Sequence, residues 1–167
     1  MRRNGFSLIE LVIVTAIIAI LLAIGTIQFN AWVNRNKVET QFKQMYADLM
    51  AARSQALYNK SATASAGGKS VIIAASKFSV YSTTNTGVTP RQGTGLKVPV
   101  TPATTQIDFD QSGVAKLNGD DSVTVVYICG QSNKTSALIN SLIISKTLIQ
   151  MGHVIGTGCS SANVNPQ

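Results

Sequence analysis

The chain has 167 residues, which allows one modest globular domain together with a long accessory element. Charged residues make up only 13% of the chain, well below the quarter that is usual in soluble domains, and 45% of the residues are hydrophobic. Part of the chain is therefore expected to lie outside water. The formal net charge of +7 is too moderate to indicate nucleic-acid binding by itself, and it suits a protein close to a membrane.

The N-terminal segment predicts a membrane-spanning helix behind a short basic leader. Residues 1–5 are polar and include Arg2 and Arg3, whereas residues 6–27 are almost wholly apolar. The apolar stretch reaches the roughly 20 residues that a helix needs to cross a bilayer. The two arginines favour a cytoplasmic N-terminus, which would place the rest of the chain on the other side of the membrane.

Residues 28–60 predict an amphipathic continuation of the same helix. No proline precedes Pro90, so nothing forces a break between the two segments, and Gly25 is the one soft position near their junction. Apolar side chains recur mostly every three or four residues, as expected for one buried helix face. They are Phe29, Val33, Val38, Phe42, Met45, Leu49, Ala52 and Ala56.

Residues 61–167 predict a β-rich globular head. Its first ten residues, 61–70, are small and polar and are interpreted as a linker, and Ser82 to Thr104 is interpreted as a loop. The predicted strands are Val71–Ala75, Phe78–Tyr81, Gln106–Phe109, Val114–Leu117, Ser122–Cys129, Leu138–Ile144 and Thr147–Met151. Short turns separate them, so the sequence predicts an α+β fold in which a long N-terminal helix packs against a small, mostly antiparallel β domain.

Glu10 is the main candidate functional residue because its carboxylate lies inside the apolar segment. An unpaired charge at bilayer depth costs about 2.5–3.5 kcal/mol even on the lenient insertion scale. Cleavage after Gly5 would create a positive amine on Phe6, and a neighbouring subunit could bring that amine to Glu10. Glycine before the cleaved bond would also let a protease approach the backbone closely.

The run Gly5-Phe6-Ser7-Leu8-Ile9-Glu10, followed by Leu11-Val12-Ile13-Val14, resembles the class III signal of type IV pilins and type II secretion pseudopilins. The resemblance implies a type IV pilin-like fold. It also implies that a prepilin peptidase cleaves after Gly5 and N-methylates Phe6, and that Glu10 sets subunit register during assembly.

The same resemblance implies the location and partners of the chain. It would cross the bacterial inner membrane once, with a periplasmic head, and then enter a pilus or pseudopilus. Its partners would be the lipid bilayer, other pilin or pseudopilin subunits, the prepilin peptidase and the inner-membrane assembly platform. One departure is Ile27, where many family members have a proline, so the usual bend of the helix is not expected from a proline here.

Three segments resemble one branch of that family, the H-type pseudopilins and the FimT- and FimU-like minor pilins. Leu49 to Ala56 resembles the end of the branch's long helix, and Ile107 to Gly113 resembles its Phe-Asp-x-x-Gly strand and turn. Ile143 to Gly152, with Cys159 soon after, resembles its closing hairpin and terminal cysteine. The resemblance implies a minor pilin or pseudopilin with an assembly role, and a major pilus subunit remains an alternative.

Other interpretations of the N-terminus and of the function stay open. The N-terminus could be an ordinary secretory signal peptide cleaved near Gly25, or an uncleaved anchor. DNA capture for uptake is a second function, although Gly152-His153-Val154-Ile155 lacks the arginines that such members carry in the closing hairpin. An enzyme is not expected, because His153 is the only histidine and no zinc spacing, phosphate loop or nucleophile–base pair is visible. Neither a metal nor a cofactor is predicted.

Cys129 and Cys159 are the only cysteines in the chain. In an exported domain a single pair indicates one disulfide, whereas two free thiols are the alternative. The bond would join the strand that ends at Cys129 to the C-terminal tail.

Overall fold

The computed structural model describes residues 7–59, 68–84, 87, 89–102, 104–131 and 137–167, with the backbone alone described at 24–27. A single helix, α1, occupies Leu8–Tyr58 and comprises 51 residues. It runs through Gly25 and Ile27 without interruption in its helical backbone. No proline precedes Pro90, so no residue within α1 lacks the backbone N–H that an intrahelical hydrogen bond requires. The helix is therefore continuous.

The second half of α1 forms one wall of the hydrophobic core. The predicted stripe is buried from its third member onward, whereas Phe29 is 62% exposed and lies outside the head. Spacing of three and four residues keeps these side chains on the face that meets the sheets. The buried members are Val38, Phe42, Met45, Leu49, Ala52 and Ala56.

The head is formed by two five-stranded antiparallel sheets within the described residues. The first sheet has the order β3-β2-β1-β5-β6 and the second the order β10-β9-β8-β7-β4. The strands are β1 Lys69–Ala74, β2 Lys77–Tyr81, β3 Gln92–Gly95, β4 Val100–Thr101, β5 Thr104–Phe109, β6 Ala115–Leu117, β7 Val125–Gly130, β8 Ser141–Ser145, β9 Ile149–Val154 and β10 Val164–Pro166.

Helix α1 packs against both sheets, chiefly against β1 of the first and β9 of the second. Buried and less buried side chains alternate along β5, as expected for a strand with one face toward the core. Thr105, Ile107 and Phe109 are buried, and the residues between them are not. The inward faces of both sheets and the helix stripe form one continuous core cluster. The predicted α+β architecture is therefore confirmed.

The predicted strands match observed strands with shifts of a few residues at their ends, but three strands were missed. The predicted loop from Ser82 to Thr104 contains β3 and β4, and the C-terminal tail contains β10. All four residues of β3 are exposed, so no alternation of buried and exposed side chains marks it in the sequence. The predicted linker also ends too late, because β1 begins at Lys69.

Gln41 ties the helix to the segment between β3 and β4. Its side-chain Nε2 donates to the carbonyl oxygen of Val98 at 2.7 Å, and its Oε1 accepts from the Val98 backbone N–H at 2.9 Å. Gln41 is only 9% exposed, so water cannot readily replace these bonds. One amide side chain thus satisfies both backbone polar groups of a residue outside any strand.

Replacing Gln41 with alanine is expected to destabilise the head by about 1–3 kcal/mol, because the Val98 N–H and carbonyl lose their partners in a partly buried place. Gln44 provides a matched control, since it is an exposed glutamine on the same helix and Gln44→Ala removes no such bond. Thermal unfolding of the full chain in detergent micelles, followed by near-ultraviolet circular dichroism, measures the difference. Equal melting temperatures for the two variants would show that the Gln41–Val98 pair contributes nothing to stability.

Candidate membrane and assembly site

Glu10 lies in the first turn of α1, three residues after the N-cap Ser7. The backbone N–H of Glu10 donates to the Ser7 carbonyl at 3.1 Å, and the Ser7 side chain makes no capping hydrogen bond. A carboxylate at this position faces the positive end of the helix dipole, which stabilises it to some extent before any partner arrives. The predicted cleavage residues Gly5 and Phe6 lie outside the described residues, so the structure does not test that part of the site.

The first half of α1 projects beyond the hydrophobic core of the head, within the part of the chain that the structure describes. Every described side chain from Leu8 to Ala23 is exposed, although nearly all of them are apolar. Helix α1 contains a stretch long and apolar enough to cross a membrane, with a mean hydropathy of 2.9 over eighteen residues, none of them buried in the monomer. Such a surface is not stable in water, so lipid or other helices must cover it.

Phe29 and Trp32 mark the end of the apolar stretch. Their ring centroids lie 6.1 Å apart, and the two side chains are 62% and 60% exposed. Aromatic side chains are enriched at the membrane–water interface, where an apolar ring and a polar edge can both be accommodated. The pair therefore fits the position where α1 would leave the lipid and enter the head.

Glu39 connects the helix to the segment that precedes β8 of the second sheet. Its Oε1 accepts from the Arg35 guanidinium at 3.1 Å and from the backbone N–H of Leu138 at 3.0 Å, and Lys43 lies 3.8 Å from its Oε2. The Leu138 hydrogen bond and, more weakly, the Arg35 charge lower the pKa of Glu39, against the opposing effect of partial burial. Sequence reasoning missed Glu39; its spacing of four from Arg35 and Lys43 signals helix ion pairs, but the contact with Leu138 has no local signal.

The predicted disulfide is present between Cys129 of β7 and Cys159, with a Cα–Cα distance of 5.8 Å. It closes a loop across a separation of 30 residues and attaches the C-terminal tail to the second sheet. Beyond Cys159 the tail forms β10, which pairs with β9 from Val164 to Pro166. The tail is therefore fastened at two points.

The segment that resembles the Phe-Asp-x-x-Gly motif is a turn held by one carboxylate. Oδ1 of Asp110 accepts from the Ser112 N–H and Oγ and from the Val114 N–H, at 2.9, 2.6 and 2.9 Å. Partial burial alone would raise the pKa of Asp110, yet these bonds hold it below its ordinary value. Gly113 has φ +77°, and a Cβ there would lie 2.9 Å from Leu57 Cδ2, so only glycine lets the turn close on the helix end.

The second acidic turn also uses its carboxylates internally. Oδ1 of Asp120 accepts from the Ser122 N–H at 2.8 Å, and Asp121 lies 3.0 Å from the ammonium of Lys116. Among the described residues no group of three or more histidine, cysteine or acidic side chains could hold a metal ion. The two turns are accordingly explained by local hydrogen bonds and one ion pair.

The closing hairpin consists of β8 and β9. A Cβ at Gly152 would lie 2.8 Å from Ser141 Oγ and 3.0 Å from the Asn165 carbonyl, so the glycine permits close packing of three strands. His153 pairs in register with Asn165 of β10. The ammonium of Lys146 donates to the Asp121 carbonyl, and Lys134 lies outside the described residues.

Residues 1–26 match the family described as the prokaryotic N-terminal methylation motif. The matched segment contains Gly5, Phe6 and Glu10 and ends within the apolar half of α1. No curated protein and no solved structure matches the chain. The methylation motif supports the resemblance of the N-terminus to type IV prepilins, and it does not extend into the head.

Proposed function

We propose that this chain is a prepilin-like structural subunit. In this proposal a prepilin peptidase cleaves after Gly5 and methylates the new amine of Phe6. The first half of α1 holds the subunit in the bacterial inner membrane, with a periplasmic head, until it enters a filament. The observation that carries the proposal is the methylation motif of residues 1–26, which continues directly into the exposed apolar half of α1.

The chemistry of assembly follows from the position of Glu10 near the start of an uncovered helix. Before cleavage the carboxylate has the helix N-terminus as its only nearby positive end among the described residues. Cleavage would add a full positive charge at Phe6, and packing of α1 against a neighbouring α1 would bring the two charges together in a dry environment. Each charge then offsets the desolvation cost of the other, so the contact forms in one register.

We further propose that the subunit is a minor component, of the H-type pseudopilin or FimT-like kind, rather than the bulk building block. The resemblance of these segments in sequence is supported by their positions in the fold. In the Leu49–Ala56 segment, Leu49, Ala52 and Ala56 are at most 1% exposed and pack into the head core. The Asp110–Gly113 turn rests on the last turn of α1. Two of the three resembling segments thus lie where helix and head meet.

The proposal is tested by intact-protein and peptide mass spectrometry of the chain recovered from the membrane of a cell that expresses a prepilin peptidase. The expected mature N-terminus is Phe6, with one added methyl group on its amine. A Gly5→Leu variant is expected to keep residues 1–5, because the leucine side chain prevents close approach to the backbone. A mature N-terminus near Gly25, or a retained leader in the unaltered chain, would contradict the proposal.

A further inference from the structure

The first sheet ends in β3 on one side and β6 on the other, and the surfaces at these two ends have opposite charge. At the β3 edge the side chains of Lys77 and Lys97 are exposed, and neither lies within ion-pair distance of a carboxylate among the described residues. Exposed Arg91 adds a third cation, and it donates to the neutral Gln55 side chain at 3.1 Å. Among the described residues, the β3 edge therefore has an excess of positive charge.

The opposite edge, formed by β5, β6 and the turns beside them, is acidic. It carries four aspartates, and the two lysines near them, Lys116 and Lys146, leave a net charge of −2. Only one aspartate is ion-paired with its side chain in the described part of the chain, Asp121 to Lys116. The aspartates are Asp108, Asp110, Asp120 and Asp121.

A groove of about 430 Å³ lies between the β3 edge and α1. Its apolar lining includes Trp32, Met45 and Phe78, and exposed Lys37 stands on the helix side opposite Lys97. Hydrogen bonds hold the chain on both sides of β3 against the helix. Arg91, before β3, bonds to Gln55, and Val98, after β3, bonds to Gln41, so both ends of the groove wall are fixed to α1. It is a largely apolar groove with a lysine on each rim, and its lining also includes one carboxylate, that of Asp48.

The acidic edge carries apolar side chains that match this groove. Val114 follows the Asp110 turn and is 38% exposed, and Leu148 is 52% exposed beside the Lys146 turn. The two turns are adjacent, because the Ala115 N–H donates to the Lys146 carbonyl at 2.8 Å. The acidic edge therefore presents two apolar side chains close to carboxylates, and the β3 edge presents a largely apolar groove lined by two ammonium groups, Lys37 and Lys97, and one carboxylate, Asp48.

We propose that the β3 edge and its groove bind the acidic β5–β6 edge of a second copy of this chain. This inference rests on the proposed filament function and adds a contact between heads to the contact between helices. The two edges lie about 19 Å apart, across four strand spacings, and face opposite ways. One copy can therefore bind one neighbour through its β3 edge and another neighbour through its acidic edge. Such a head-to-tail contact propagates along a filament when the rotation that relates the copies does not close a ring. Like edges repel, which disfavours β3–β3 pairing.

The contact needs little intrinsic affinity. Subunits held by α1 in one membrane or filament meet at a high effective concentration, so a small interface is sufficient. Because the charges lie at the surface, the contact is expected to weaken with salt, as the Debye length falls from about 8 Å at physiological ionic strength to about 3 Å at 1 M.

The first experiment uses full-length chains in membranes and a short bismaleimide cross-linker. One copy carries Thr94→Cys on β3, and the other carries Val114→Cys on the acidic edge. Mixed membranes are expected to give about tenfold more cross-linked dimer than membranes that contain either variant alone, because like-charge edges avoid each other. Equal yields from the single variants, or no dimer from the mixture, would overturn the proposal.

The second experiment exchanges the charges in the same cysteine backgrounds. K77E/K97E in both copies makes both edges acidic, and D120K/D121K in both copies makes both basic, so each is expected to lose about tenfold in yield. Combining a K77E/K97E copy bearing Thr94→Cys with a D120K/D121K copy bearing Val114→Cys is expected to restore the product. Arg53→Glu, on α1 and in neither edge, controls for the reversal of a charge as such, and unchanged melting temperatures control for folding. Failure of the mixture to recover would refute the pairing.

The outcomes also separate this inference from the proposed function. Normal processing at Phe6 without a Thr94–Val114 product would overturn the edge contact alone. An unprocessed N-terminus would contradict the proposed function, whichever product forms. Retention of DNA that K77E/K97E abolishes, again without the product, would assign the β3 edge to nucleic acid and overturn the pairing of copies.

Discussion

Replacing Glu10 with valine is expected to leave membrane insertion intact but to lower incorporation into filaments at least about tenfold. Valine is more apolar than glutamate, so the first half of α1 remains a good membrane segment. The loss arises because the amine of Phe6 would have no carboxylate to meet in the assembled state. An offset of about 2.5–3.5 kcal/mol per buried charge is more than the 1.4 kcal/mol that corresponds to tenfold. Membrane fractionation and the subunit content of sheared filaments measure the two quantities.

Glu10→Gln separates the charge from the shape of the side chain. Glutamine can occupy the same place in the first turn and still accept a hydrogen bond, but it cannot neutralise an ammonium group. We expect its incorporation to be impaired nearly as much as that of Glu10→Val. If either variant entered filaments at the normal level, Glu10 would have no role in register, and its position at the helix N-terminus would be explained by the helix dipole alone.

Replacing Cys159 with serine is expected to lower the free energy of unfolding by about 3–4 kcal/mol. The value follows from the chain-entropy treatment of a closed loop of this size. The native bond joins Cys129 to Cys159 across a separation of 30 residues. In the unfolded chain it restricts the conformations of the intervening segment, which forms β8 and β9 in the folded protein. Denaturant unfolding of the full chain in detergent micelles gives the difference directly.

Reduction of the unaltered chain is the matched comparison for Cys159→Ser. Both treatments remove the same covalent closure, so the midpoints of unfolding should fall by similar amounts, and a reducing agent should have no effect on the variant. A variant as stable as the oxidised chain would mean that the pairing of β10 with β9 fixes the tail by itself.

The sequence was sufficient for the main architecture because the largest elements have strong local signals. The recurrence of Val38, Phe42, Met45 and Leu49 predicts the buried helix face, and all four are at most 2% exposed. The strand β3 has no such signal. Its residues Gln92–Gly95 contribute no buried side chain and pair with β2 in an antiparallel register, so their strand conformation depends on tertiary context.

The features of the candidate site also differ in whether a local sequence signal predicts them. The spacing from Gly5 to Glu10 is local in the chain and was predictable from sequence, as was the pairing of the only two cysteines. The bonds from Gln41 to Val98 join residues 57 positions apart, and no sequence pattern specifies them. The opposite charges of the two sheet edges became visible only when the strand order placed β3 and β6 at opposite ends of one sheet.

Because α1 is continuous, it connects the head rigidly to the membrane segment. At 1.5 Å per residue its 51 residues form a rod of about 77 Å, and the head is bonded to the far part of that rod by its own core. Each residue turns an α-helix by about 100°, so inserting one residue before the head would rotate both charged edges by roughly that angle relative to the lipid-facing surface. In the proposed filament, the angular position of a head relative to the lipid-facing surface would therefore depend on the number of helical residues between the two.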